Sequence, residues 1–181
     1  MTVQIALLRS VNVAGHGRLA MADLKAMMTK LGFTAETVIQ SGNLVFASPR
    51  LGDAKLEALL EKEAGNALGI TTDFFVRTLN EWRAILKTNP FPKEAKTDPG
   101  HLILMTLKKA PSRAEVEAVR AAIKGPERIQ ANGREAYIVY PAGVGTSKLS
   151  GALIERKLDT RGTARNWNTV VRLLAAAEKY G

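Results

Sequence analysis

The sequence predicts an α+β fold: two ferredoxin-like halves of β-α-β-β-α-β order, with a C-terminal helix after the second. Three observations predict it. Short apolar runs alternate with amphipathic helical patterns. Strand-like runs come in pairs joined by turn residues. The order met in residues 1–78 returns in 101–158, less its last strand, with no close repeat of the residues themselves. The split β-α-β order is the signature of the ferredoxin-like motif.

Taken in order, residues 3–8 (VQIALL) form a short apolar run that predicts a buried strand. A polar, glycine-bearing loop follows over 9–18. Leu24, Met27, Met28 and Leu31 recur at helical spacing, and Gly32 ends that helix. Residues 37–40 and 44–47 read as strands joined through Ser41-Gly42-Asn43. Asp53 opens a second helix to residue 68, with Leu56, Leu59, Leu60 and Ala64 as its inward stripe. Residues 73–78 (DFFVRT) close the first half as a strand. A short helix over 80–87 carries Trp82, Ile85 and Leu86 on one side.

Asn89-Pro90-Phe91-Pro92 breaks that helix, so residues 89–98 are the expected linker between subdomains 1–88 and 99–181. In the second half, residues 101–107 (HLILMTL) predict a strand. Residues 112–123 predict a helix opened by a Ser112/Glu115 capping box. Strands over 127–130 and 135–140 flank Asn132-Gly133, a type I′ turn signal. Residues 147–158 predict a further helix with Leu149, Leu153 and Ile154 inward. In the final helix Trp167, Val170, Val171 and Leu174 are helically spaced, so Trp167 is expected to face the core. Asn166 or Thr163 can cap it.

With 46% apolar residues among 181, the chain can bury a sizeable core. It has no cysteine, which excludes disulfides, thiolate metal sites and thiol catalysis and fits a reducing cytoplasm. No apolar run has the length of a signal-peptide core or a membrane span, so a soluble cytoplasmic protein with no membrane partner is expected. The net charge of +9 and pI near 10.0 make an anionic partner plausible. The basic excess sits at the chain ends: +3 over residues 1–50 and +4 over 140–181, against +2 between.

Four stretches are rich in groups that bind ligands. In the loop 9–18, Arg9 and Arg18 can hold phosphate or carboxylate, and Asn12 both donates and accepts. Its Gly-His-Gly is not a dinucleotide fingerprint, and an ordinary strand–helix loop remains the alternative. Gln40, Ser41 and Asn43 place polar side chains at a turn, where turns themselves need such residues. Ser147 and Lys148 follow a Gly-rich loop and open the predicted helix. A helix N-terminus suits an anion, and Lys148 in a first turn runs against the macrodipole. The order is not that of a P-loop. Finally, Arg165, Asn166 and Asn168 stand at the start of the last helix. Arg161 and Arg165 are harder to explain as packing than as an anion pocket.

Catalytic machinery is sparse. His16 is loop-borne, and nothing in the spacing pairs it with a carboxylate; His101 opens an apolar strand and reads as structural. No His, Asp or Glu cluster has metal-ligand spacing, and Ser41 and Ser147 lack an evident activating partner. No cofactor is assigned.

The chain resembles the bacterial family known as domain of unknown function 1697. Ala6-Leu7-Leu8-Arg9 with Asn12-Val13 carry the resemblance, as do Ile39-Gln40-Ser41-Gly42-Asn43-Leu44-Val45-Phe46. Val76-Arg77-Thr78, Trp82, Asn89-Pro90-Phe91, Tyr140-Pro141, residues 143–150, Ile154-Glu155, Lys157-Leu158 and residues 163–170 extend it nearly end to end. Ser10, Ala14 and Val38 depart from the family's usual glycine, glycine and tyrosine. The resemblance implies a duplicated α+β fold and supplies no reaction. Its motifs coincide with the four stretches, which points to a shared site. The expected function is binding of a phosphate-bearing ligand, nucleic acid or nucleotide, through basic loops from both halves. Two alternatives stand beside it: an enzyme on a small anionic substrate clamped by Arg9, Lys148 and Arg165, or a polar structural network with no ligand.

Overall fold

Strand β1 (Thr2–Leu8) reads as an apolar run interrupted by the buried Gln4, because both of its faces are buried. In the computed structural model it is an inner strand of an antiparallel sheet with β2 (Ala35–Thr37), β3 (Asn43–Ser48) and β4 (Phe74–Thr78), in the order β2-β3-β1-β4. The structure describes residues 1–9, 19–39, 42–49 and 53–180. They divide into two units, residues 1–84 with 172–181 and residues 85–171.

In the first unit the side-chain alternation of the strands sends Ala6, Leu8, Leu44, Phe46, Phe74 and Val76 to one face. There they meet Leu24, Met27 and Met28 of α1 (Met21–Lys30) and Leu56, Leu60 and Ala64 of α2 (Asp53–Leu68). Ile5, Leu7, Val45, Phe75 and Arg77 alternate to the other face and are buried as well. Helix α1 ends as its glycine predicts. Gly32 takes φ +82°, its N–H reaches Thr29 O, and Phe33 N–H reaches Met28 O, the paired bonds of a Schellman motif.

Strand β4 is an edge strand, and carboxylates accept its outward N–H groups. Phe74 N donates to Glu61 Oε1 (3.0 Å), Val76 N to Glu57 Oε1 (2.9 Å) and Thr78 N to Glu81 Oε2 (2.7 Å). Glu57 and Glu61 lie one turn apart on α2, so a single helix face serves two alternate strand positions. Glu81 N donates in return to Thr78 Oγ1, a capping box that starts α3 (Leu79–Lys87).

The second unit holds a sheet of the same order. Here β5 (Leu102–Leu107) lies between β7 (Glu135–Val139) and β8 (Gly162–Asn166), with β6 (Arg128–Asn132) beyond β7, all antiparallel. Between α3 and β5 come α4 (Pro92–Thr97) and a 3₁₀ turn (Pro99–His101), so residues 89–98, read above as a linker, hold a short helix. Ile103, Met105, Leu107 and Ile138 pack with Val116 and Val119 of α5 (Arg113–Ala122) and Ile154 and Leu158 of α6 (Gly151–Leu158). The Ser112/Glu115 capping box forms as predicted. On α7 (Trp167–Tyr180) Trp167, Val170, Leu173 and Ala177 are buried, whereas Val171 is 46% exposed, so the inward stripe is shifted from the one expected.

Four expectations need correction. Strand β2 lies at Ala35–Thr37, two to three residues before the predicted 37–40. The β6–β7 loop is Gly133-Arg134, since Asn132 pairs with Glu135. Only its first residue has a positive φ (+57°), the pattern of a type II′ rather than a type I′ turn. Helix α6 begins at Gly151 and not at Ser147. Lastly, residues 162–166 are a strand, which gives the second half the final strand missing from the sequence reading.

Candidate functional site

In the first unit Arg9 follows β1 directly. Its backbone N–H donates to Asp73 O (3.0 Å), its carbonyl accepts from Thr72 Oγ1 (2.7 Å), and its guanidinium lies 3.6 Å from Asp73 Oδ2. The residue entering β4 therefore fixes both the backbone and the charge of Arg9. Its side chain is 32% exposed, so the guanidinium can still meet a ligand. Asn43 is buried. Its Nδ2 donates to Val38 O, and its carbonyl accepts from Val38 N, which closes the turn in which Ile39 and Gly42 take left-handed φ values of 55° and 79°. Asn43 thus has the turn role that its residue type favours. Asn12, Arg18, Gln40, Ser41 and His16 lie outside the described residues.

In the second unit Ser147 and Lys148 stand before α6 rather than in its first turn. Ser150 is the cap: its backbone is extended (φ −77°, ψ 159°), and its side chain accepts from Leu153 N. The Ser147 hydroxyl is engaged elsewhere. It donates to Glu127 Oε1 and accepts from Leu149 N. That bond holds the Glu127 carboxyl below the usual carboxylate range. Ser147 does have a carboxylate partner, which the spacing of the sequence had hidden. Lys148 is exposed. The macrodipole argument for Lys148 falls with the helix start, because it lies ahead of the cap.

Arg165 is half-buried on β8 and alternates to the same face as Thr163. Its Nη1 donates to Thr163 Oγ1 (2.8 Å) and Ala164 O (2.9 Å), both neutral acceptors. Burial lowers its pKa to about 10. Asn166 Oδ1 accepts from Thr169 N (3.1 Å) and so caps α7. Asn168 is exposed in the first turn. Trp167 is buried against Tyr137, with ring centroids 6.3 Å apart, and anchors the start of the helix.

His101 is more than the strand opener expected. Its Nδ1 lies 2.9 Å from Asp98 Oδ2, its side chain is half-exposed, and its backbone carbonyl accepts from Tyr140 N. A Cβ built on Gly143 would come 3.6 Å from His101 Nε2, so the ring sits between Asp98 and the 140–143 turn. The Asp-Pro-Gly-His spacing was the signal for this pair. Among the described residues no group of three His, Asp or Glu could hold a metal, and no helix is long and apolar enough to cross a membrane. A cavity of about 500 Å³ lies in the first unit, lined by Leu19, Met27, Leu68 and Ile70 among others, and among the described residues no predicted site residue lines it.

The model of a family described as "Protein of unknown function (DUF1697)" matches residues 1–137. Among curated proteins, none matches the chain. Among solved structures, the conserved bacterial protein SP0830 from Streptococcus pneumoniae is similar with a TM-score of 0.73 and 21% identity, over 97% of this chain and 98% of that one. At that identity the likeness concerns the mixed α+β fold alone.

Proposed function

We propose that this chain, which belongs to the family of proteins of unknown function designated DUF1697, binds a phosphate-bearing ligand, nucleic acid or nucleotide, through basic loops of its two halves. The observation that carries the reading is Arg165. Its guanidinium is held on the Thr163 hydroxyl and the Ala164 carbonyl, and burial lowers its pKa to about 10. Withdrawing a cation from water costs free energy. A phosphate brought to it would add charge-assisted hydrogen bonds and fits the planar fork of donors. The net charge of +9 would draw such a ligand in. A chain without cysteine suits work in the cytoplasm.

The test is a fluorescence-anisotropy titration of a labelled single-stranded oligonucleotide, with calorimetry of a nucleoside triphosphate, at low salt. Charge-assisted hydrogen bonds contribute ~1.5–3 kcal/mol, so Arg165→Ala should weaken binding roughly tenfold to a hundredfold. Arg165→Lys should recover part of the loss through charge alone. No binding at low salt, or an affinity indifferent to salt, sinks the reading.

A specific observation favours a second reading, a polar structural network. Arg9 is paired with Asp73, and the Asn43 and Asn166 amides serve the chain's own backbone. On that reading Arg9→Ala lowers stability by up to about 1 kcal/mol and leaves any anion affinity untouched. An unchanged urea midpoint would remove it. We also infer that the halves are copies of one ferredoxin-like unit. The shared strand order supports this, and so does a shared device at the edges: Gly162 N on edge strand β8 donates to Glu155 Oε1 of the preceding helix, as β4 does to α2.

A further inference from the structure

We infer that a basic groove in the second unit is a binding site for clustered phosphates, and that its natural occupant is the backbone of a single-stranded nucleic acid. The groove has a volume of about 590 Å³ and lies where β5 ends, α6 ends and β8 begins. Lys108, Lys109, Arg156 and Arg161 line it against Glu155 and Asp159. Four cations to two carboxylates leave its walls with a net charge of +2.

Hydrogen bonds fix its frame. Lys108 N donates to Arg161 O (3.0 Å), Lys109 N to Thr160 Oγ1 (3.2 Å) and Thr160 N to Glu155 O (3.2 Å). Asp159 turns the chain in a left-handed conformation (φ 49°, ψ 44°). Both carboxylates are already engaged: Asp159 Oδ2 lies 3.1 Å from Lys109 Nζ, and Glu155 Oε1 accepts from Gly162 N. With Asp159 matched by Lys109, the cations Lys108, Arg156 and Arg161 still outnumber the remaining carboxylate, Glu155, along the lining.

A plainer account covers only part of this. Arg156, in the last turn of α6, complements the helix dipole. Lys108 follows β5 and Arg161 precedes β8, so a dipole role on α6 explains neither. Among the described residues no aromatic side chain lines the groove, so the phosphates of the ligand are the part its cations would recognise. The volume far exceeds one phosphate group, which suits several phosphates in a row.

The inference rests on the phosphate reading above, but at residues that reading does not use. The full chain, labelled with ¹⁵N, is titrated with inorganic tripolyphosphate and separately with a single-stranded oligonucleotide. Amide shifts over 108–109 and 159–162 with both probes support it. The double variant Arg156→Gln with Arg161→Gln, both exposed, should then keep a native amide spectrum. It should weaken the oligonucleotide on the order of tenfold and make its log–log salt slope shallower by about 1.4, at ~0.7 per lost contact on a single strand. Shifts confined to Arg165 and residues 143–148 overturn the groove and leave the phosphate reading standing. No shift with either probe overturns both. A response to tripolyphosphate alone overturns the nucleic-acid assignment in favour of a free polyphosphate.

Discussion

Glu57 and Arg77 form an ion pair in the interior of the first unit, 3.7 Å apart with side chains 6% and 2% exposed. Arg77 also donates to Val76 O, and Glu57 accepts from Val76 N, so strand β4 and the pair fix one another. Removing one member of a buried pair strands the other, at a cost of about 3–5 kcal/mol. Glu57→Ala should therefore lower the urea midpoint sharply. Glu57→Leu with Arg77→Met should be less damaging than either single change. Tyr140 predicts a pH effect. Burial, reinforced by Glu127, pushes its pKa up to about 12 from 10.0. The neutral phenol donates to Leu149 O (2.9 Å). Below pH 10 the phenol is neutral in both states and its contribution is fully present. As pH rises from 10 through 12, the unfolded chain ionises first and stability falls by about 3 kcal/mol. Tyr140→Phe should flatten that alkaline fall in thermal melts and cost about 1 kcal/mol at neutral pH. At this scale the sequence was a poor guide to partners. Arg9 and Ser147 were singled out as binding groups, yet Asp73 and Glu127, which meet them, lie 64 and 20 residues away. Only the folded chain brings such pairs together.

At the scale of elements, local chemistry was the legible part. The Ser112/Glu115 box, the Gly32 terminus and the apolar runs of β1, β4 and β5 all formed where the pattern put them, within a residue or so. The misses have physical causes. Strand β8 (GTARN) shows no apolar alternation, because one of its faces needs small residues and the other is polar. A Cβ on Gly162 would come 2.8 Å from Leu107 Cδ2 and 2.9 Å from Thr106 O. Gly162→Ala should then destabilise the second unit by about 1–3 kcal/mol, read as a lower melting temperature, because the strand backbone must move off β5. The start of α6 was misplaced because both Ser147 and Ser150 are competent caps; Ser147 Oγ accepts from Leu149 N two residues on, whereas Ser150 Oγ accepts from Leu153 N and starts the helix. Circular dichroism should separate them. Ser150→Ala costs about 1 kcal/mol and frays α6, whereas Ser147→Ala leaves helix content unchanged.

At the scale of the whole molecule, the mixed α+β order and every strand but the last were foreseeable from the alternation of patterns, whereas the division of the strands into two separate sheets, and the fourth strand of the second, were not. The path of the chain end was not foreseeable. Residues 172–181 belong with the first unit, where Tyr180 donates to Thr34 O and Arg83 pairs with Glu178 at 3.1 Å. Deleting 172–181 should accordingly raise hydrogen exchange in α1 and β2, far off in sequence, more than in α5. Equal effects in the two units would contradict this.

The carboxylates along β4 have a consequence for association. An incoming strand extends a sheet by taking the free N–H groups of its edge, and at Phe74, Val76 and Thr78 those donors are already occupied. That side of the sheet is closed to polymerisation, and only the three-residue β2 remains at the other. Opening it with Glu57→Ala and Glu61→Ala should promote fibrils, read by thioflavin fluorescence, at concentrations where the parent forms none.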